Sequence, residues 1–177
     1  TIQGLPRRSW LRRRLWSTLY PQADAVIAPT QGVARETSHL SGLAEQEIKI
    51  IPNPVLDYSF ENKMSAPIDH PWFDELTPVI LGVGRLTRQK GFDNLLQAFN
   101  IVRLQTPSKL IILGNGENRQ SLENLIRSLK LDKIVDMPGH VPNPYAYMSR
   151  ASVFVLSSRW EGPGHALIEA LATGTPT

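Results

Sequence analysis

The chain has 177 residues, of which 41% are hydrophobic and 20% charged, an ordinary balance for a globular protein with one good core or parts of two domains. It has no cysteine, which excludes a disulfide framework, thiolate metal sites and cysteine nucleophiles and fits a cytoplasmic setting, and no apolar run approaches the ~20 residues of a membrane span. The net charge of +3 is concentrated: Arg7, Arg8, Arg12, Arg13 and Arg14 crowd the start, and the remainder is close to neutral.

In chain order, Pro6–Tyr20 reads as a basic helix. Trp10, Leu11, Leu15 and Leu19 recur at helical spacing, Trp16 lies beside them, and arginines cover much of the rest. This fits either a peripheral contact with anionic headgroups on the cytoplasmic face of a membrane or a surface helix packed on its own domain. Nucleic-acid binding is not expected, because no aromatic platform or second basic patch accompanies the cluster. Asp24–Ala28 is a short buried-type strand ended by Pro29. Thr30 can cap a helix over Gln31–Leu40 that stops near Gly42, and Ile48–Ile51 is a second strand halted by Pro52-Asn53-Pro54. From 55 to 78 periodicity disappears among prolines, polar residues and scattered aromatics, as in a linker or crossing segment.

Order returns at Val79–Gly84, a strand running into glycine. A basic loop, 85–91, leads to an amphipathic helix over Phe92–Gln105 with Leu95, Leu96, Phe99, Val102 and Leu104 as core candidates. Then come a strand at Lys109–Leu113, a turn at Gly114–Glu117, a helix over Arg119–Leu129, a strand at Ile134–Met137, a short helix over Pro144–Ser149 and a strand over 153–156. Such alternation predicts an α/β fold, with right-handed crossovers and a parallel sheet covered by helices. Ligands of such sheets bind beyond the carboxyl ends of the strands, so the loops after 84, 113 and 156 can converge on one crevice. The region from 79 is shorter than the ~120 residues of a full doubly wound domain, and 1–57 offers two strands, so both parts are expected to be incomplete at the chain's ends.

The loop after 156 leads into Glu161-Gly162-Pro163-Gly164-His165-Ala166-Leu167-Ile168-Glu169. Its glycines admit close approach of a ligand, and a helix starting near Gly164 offers free N–H groups and a positive dipole end to an anion. Glu161 and Glu169 are too far apart along a helix for an acid/base pair. With the helix beginning near Gly164, Glu161 stands in the loop ahead and Glu169 on the second turn, so they would touch different parts of one ligand. Arg85 and Lys90 could neutralise a diphosphate leaving group. Gly114-Asn115-Gly116 is half a dinucleotide fingerprint and reads as a tight turn facing the same crevice. His165 alone at a helix start reads as a surface or packing residue. His39, His70 and His140 lack metal-ligand spacing, and no metal is expected.

In combination, Gly84-Arg85-Leu86-x3-Lys90-Gly91, Gly114-x-Gly116 and Ser157-x3-Glu161-Gly162-Pro163-Gly164-x4-Glu169-Ala170-x2-Thr173-Gly174-x-Pro176 resemble the nucleotide-sugar domain of retaining GT-B glycosyltransferases of family 4, or group 1. Ala23–Ala28, Gly32-Val33 and Ile51–Pro54 resemble the end of that family's acceptor domain and its interdomain link. The resemblance implies a Rossmann-like acceptor part over 1–57, a linker over 58–78 and a Rossmann-like donor domain over 79–177. It implies transfer of a sugar from a nucleotide-sugar, a UDP-sugar in the leading reading, to a hydroxyl of a glycan or lipid-linked acceptor, with retention and without a metal or other cofactor. Gly84, Arg85 and Lys90 would bind the donor diphosphate, with backbone amides at Gly164, His165 and Ala166 adding to the anion site. Glu161 would contact the donor sugar as the catalytic group, and Glu169 the ribose. Competing readings are a nucleotide-sugar-binding module without turnover of its own and a membrane- or polyanion-binding adaptor built on the basic first helix.

Overall fold

The computed structural model describes residues 9–56, 58–162 and 164–177, with side chains from residue 14 onward. The chain divides into two compact units, Thr1–Pro54 and Val55–Thr177.

The first unit carries α1 (Ser9–Leu19), β1 (Val26–Ala28), α2 (Gln31–Ser41) and β2 (Ile48–Ile50). β1 and β2 pair in parallel, Val26 opposite Ile48, and both strands are shorter than the apolar runs that announce them. α2 starts where Thr30 accepts a hydrogen bond from the Val33 N–H (3.2 Å) and ends at Gly42 in the left-handed conformation, φ 80°. Ala28, Ala34 and Ile48 form its small core with Val26 and Val33. In α1, Leu15 and Leu19 are 53% and 56% exposed, while Trp16 and Tyr20 set their rings 5.2 Å apart. Arg7, Arg8 and the side chains of Trp10, Leu11, Arg12 and Arg13, on which the basic-stripe expectation rests, lie outside the described residues.

The second unit begins with α3 (Phe60–Ser65) and continues through β3 (Val79–Val83), α4 (Phe92–Val102), β4 (Lys109–Leu113), α5 (Arg119–Ser128), β5 (Val135–Gly139), α6 (Pro144–Arg150), β6 (Val153–Phe154) and α7 (His165–Ala172). All four strands are parallel, in the order β5-β4-β3-β6. Side-chain alternation along β4 explains why helices cover both faces. Leu110 and Ile112 enter one core with Leu95, Leu96 and Phe99 of α4 and Leu122 and Ile126 of α5. Ile111 and Leu113 enter the other with Met148 of α6, Phe154 and Ala170 of α7. Two core candidates fall outside: Val102 and Leu104 are exposed, because α4 stops at Val102 and the chain turns away before another helical repeat is complete.

Residues 58–78, expected to be a linker, belong to the second unit and dock along α6. The carbonyls at the end of α3 are taken by side chains some eighty positions later: Asn143 Nδ2 donates to Lys63 O (2.7 Å), Ser149 Oγ to Met64 O (2.9 Å) and Arg150 Nη1 to Ala66 O (3.0 Å). Farther along, buried His70 bonds Asp136 of β5 through Nε2 (3.1 Å) and accepts the Trp72 N–H at Nδ1, so Nε2 carries the proton. Rings of Trp72, Phe73 and Tyr147 enclose it edge-on.

β3, β4 and β5 progress to one side while β6 lies on the other side of β3, so the order reverses between β3 and β6. A crevice opens beyond the strand ends at such a reversal. There the backbone is packed so closely that a Cβ on Gly114, φ 131°, would stand 2.0 Å from Gly84 O. Gly114→Ala is therefore expected to cost about 1–3 kcal/mol from backbone strain alone, whereas Gly162→Ala, with nothing within 4 Å of its added Cβ, should stay within about 0.5 kcal/mol. Urea unfolding of both variants checks the contrast, and equal stabilities would contradict this packing.

Candidate functional site

The crevice is built from three loops at strand ends. The loop after β3 and the turn after β4 are joined through their backbones: Gly84 N–H donates to Leu113 O (3.0 Å), Leu86 N–H to Asn115 O (2.9 Å) and Asn118 N–H to Leu86 O (2.9 Å). The Gly114–Gly116 turn thus faces the crevice and serves as a close-packed support. The loop after β3 is also tied to the loop after β6. Ser157 Oγ donates to Lys90 O (2.8 Å), Arg159 N–H to Gln89 O (2.8 Å) and Gln89 Nε2 to Trp160 O (3.0 Å). Gly91 makes the approach possible, since a Cβ there would lie 2.3 Å from Ser157 O.

These ties carry Lys90 to Glu161. The Lys90 ammonium hydrogen-bonds Glu161 Oε1, and Ser158 Oγ donates to the same oxygen at 2.6 Å. The side chains are 17% and 19% exposed, so the pair is largely shielded from water. Burial pushes the Glu161 carboxyl up, but the hydrogen bonds from Lys90 and Ser158 outweigh it and hold it below its ordinary value. Glu161 is therefore a carboxylate at neutral pH, able to interact with developing positive charge. The aliphatic part of Lys90 lies along Gly84, whose added Cβ would meet its Cγ, Cδ and Cε at 3.3–3.4 Å.

The other expected site residues stand at the end of β3 and on α7. Gly164, φ 65°, is the N-cap of α7, and its carbonyl accepts the Leu167 and Ile168 N–H groups at 2.9 and 3.2 Å. The amides of His165 and Ala166 precede the first intrahelical donors and point from the helix start. The His165 side chain is exposed. Glu169 stands on the second turn, where Tyr145 Oη donates to its Oε1 at 3.3 Å. Exposed Arg85 lines a cleft of about 600 Å³ with Val83, Asn115, His140, Val141 and Pro144. The cleft combines apolar walls with a few polar groups, the usual make-up of a small-molecule site. Among the described residues no three His, Cys, Asp or Glu side chains gather to hold a metal ion, and no helix is long and apolar enough to cross a membrane.

Sequence reasoning placed Lys90 and Glu161 at one crevice without pairing them, and it passed over Ser158, Tyr145 and the ion pair between Arg159 and Asp93. Only the Ser158-x2-Glu161 spacing offered a local signal; the other partners are supplied by elements many residues away.

Residues 70–177 match the family model "Glycosyl transferases group 1", and residues 2–56 match "Glycosyltransferase Family 4". An uncharacterized glycosyltransferase of Methanocaldococcus jannaschii is 34% identical over 161 residues, covering 89% of this chain and 39% of the relative. The N-acetylgalactosamine-N,N'-diacetylbacillosaminyl-diphospho-undecaprenol 4-alpha-N-acetylgalactosaminyltransferase of Campylobacter jejuni is 32% identical over 164 residues, covering 93% and 43%. The chain thus spans about two fifths of the length of these curated relatives. Among solved structures, Anabaena Alr3699/HepE, in complex with UDP, superposes with a TM-score of 0.74 at 22% identity over 93% of this chain and 47% of that one, a likeness of fold. With the group 1 model spanning most of its length, and an α/β architecture that matches GT-B structures, the chain belongs to the group 1 glycosyltransferases.

Proposed function

We propose that the second unit is the donor-binding part of an enzyme that transfers a sugar from a nucleoside diphosphate sugar, a UDP-sugar in the first instance, to a hydroxyl acceptor with retention of configuration. The observation that carries this reading is the shielded Lys90–Glu161 pair at the strand-order reversal, beside the start of α7. A cation, a helix N-terminus and a carboxylate within one crevice suit a ligand with an anionic diphosphate next to a carbon that becomes positively charged. The nucleoside would occupy the cleft bounded by Val83, Val141 and Pro144, with Glu169, held by Tyr145, facing the ribose. Lys90, Arg85 and the amides of Gly164, His165 and Ala166 would hold the diphosphate. The UDP bound by the Anabaena neighbour supports a uridine nucleotide.

In the transfer, the bond between the anomeric carbon and the phosphate oxygen breaks. The acceptor oxygen bonds to that carbon, and the hydroxyl proton leaves with the nucleoside diphosphate. Glu161 lies where it can stabilise positive charge on the sugar ring. The cations and helix amides offset charge gathering on the leaving group, the work a divalent metal does in other phosphoryl-leaving reactions, so the reaction is read as metal-independent. The acceptor is read as a glycan or lipid-linked hydroxyl.

A membrane contact through the first helix is a second, compatible reading, favoured by the exposure of Leu15 and Leu19 beside Arg14. Flotation with anionic liposomes is expected to recover the chain, and replacing Arg7, Arg8, Arg12, Arg13 and Arg14 by Gln should abolish recovery; unchanged recovery removes this reading.

Titration calorimetry with UDP, GDP and ADP tests the donor reading, and no binding of any of the three by folded chain contradicts it. Lys90→Ala is expected to weaken UDP by about 1.5–3 kcal/mol, the range for hydrogen bonds to charged groups. Glu161→Gln should act in the opposite direction. It leaves Lys90 uncommitted and removes a negative charge that, about 4 Å from a phosphate, repels it by up to about 4 kcal/mol at an effective dielectric constant of 20. Tighter UDP binding in Glu161→Gln, with sugar transfer lost in the full-length enzyme, is the expected pattern; weaker UDP binding with transfer intact would contradict these roles.

A further inference from the structure

Arg159 lies two residues before Glu161 and is not part of the motif that identifies the crevice, yet it makes an unusually complete set of contacts for a surface arginine. Nη1 donates to Asp93 Oδ1 at 2.8 Å and Nη2 to Asp93 Oδ2 at 2.6 Å, a bidentate fork. Nη1 also donates to Arg88 O (2.8 Å), Nη2 to Asn94 Oδ1 (3.2 Å), and the backbone N–H to Gln89 O (2.8 Å). Asp93 sits in the first turn of α4, where a carboxylate also suits the helix dipole. The guanidinium holds it below its ordinary value, through hydrogen bonding first.

The placement along the chain gives these contacts their meaning. Arg88 precedes Lys90 by two residues and Asp93 follows it by three, so one guanidinium grips the chain on both sides of Lys90. The same residue belongs to the loop that carries Glu161. An isolated exposed ion pair contributes little to stability, but a forked pair that joins two loops and a helix start sets geometry. Its stability contribution can be small while its effect on a short contact next to it is large.

Resting on the donor-site reading above, we propose that the Arg159–Asp93 pair is the positioning device of the crevice, setting the separation of the loops after β3 and β6 and thereby fixing the Lys90 ammonium where the terminal phosphate of a nucleoside diphosphate binds. Neither residue needs to touch the nucleotide. Lysine at 159 could meet Asp93 but could not reproduce the fork together with the bonds to Arg88 O and Asn94.

The test is the ratio of UDP to UMP affinity, measured by titration calorimetry on the chain, with GDP and GMP or ADP and AMP substituted if the parent prefers those. The two ligands share base and ribose and differ by the phosphate assigned to Lys90. Arg159→Ala and Asp93→Asn should each lower the ratio about fivefold, roughly 1 kcal/mol, with UMP affinity and cooperative melting preserved. Arg159→Lys should fall between them and the parent, and its retained charge keeps the test open if Arg159→Ala fails to fold. Lys90→Ala, run alongside, sets the largest loss available. A ratio unchanged in Arg159→Ala or Arg159→Lys while Lys90→Ala lowers it overturns the positioning role alone. Equal losses for UDP and UMP also overturn it, because they mark the pair as general scaffold. If Lys90→Ala itself leaves the ratio intact, the donor-site reading fails and this proposal falls with it.

Discussion

Lys90 and Glu161 are seventy-one positions apart on different loops, and their meeting depends on the packing of the second unit. A half-buried ion pair is not a source of stability by itself, since removing two charges from water costs much of what their attraction returns. It persists because neighbouring groups complete it. Ser158 adds a second hydrogen bond to Glu161 Oε1, Gly84 leaves room for the lysine stem, and Gly91 lets the two loops touch at Ser157 O. These groups sit where the strand order of the parallel sheet reverses and the two loops emerge.

The arrangement suits a site that must hold an anion briefly and then release it. A lysine already partnered with a carboxylate keeps its charge oriented. In the proposed donor site an arriving diphosphate would share the cation, so binding would be weaker than to an uncommitted lysine, and the same carboxylate would be left beside the anomeric carbon. The helix amides at His165 and Ala166 would add attraction that needs no rearrangement. Below the crevice, two apolar layers on the faces of the sheet hold the strand ends to a fixed spacing, and close backbone approach at Gly84 and Gly114 leaves little slack.

Much of this was legible in the residues, for identifiable reasons. Strands β3 and β4 are buried on both faces and so read as unbroken apolar runs, and α7 is announced by glycine followed by an Ala/Leu-rich stretch. Thr30 and Gly42 bounded α2 through local capping chemistry, which needs no distant partner. What failed depended mostly on distance along the chain. The 58–78 stretch offers no periodicity to read, and its partners are distant: Asn143, Ser149 and Arg150 take its carbonyls, and His70 is held by Asp136, sixty-six positions away. The end of α4 was overextended because apolar Leu104 continued the pattern after the helix had stopped. Within the site, the residue types of Arg85, Lys90, Glu161 and Glu169 are what suggest the proposed chemistry, but the direct Lys90–Glu161 contact and the Arg159–Asp93 clamp are products of folding that spacing does not encode.

The central claim is that the Lys90–Glu161 pair is where a nucleoside diphosphate is received. A crystal structure of the chain with bound UDP tests it most directly. The terminal phosphate is expected within about 3.2 Å of Lys90 Nζ and next to the amides at the start of α7, with Ser158 still holding Glu161. Phosphates bound away from these groups, with the Lys90–Glu161 pair unaltered and uninvolved, would contradict it.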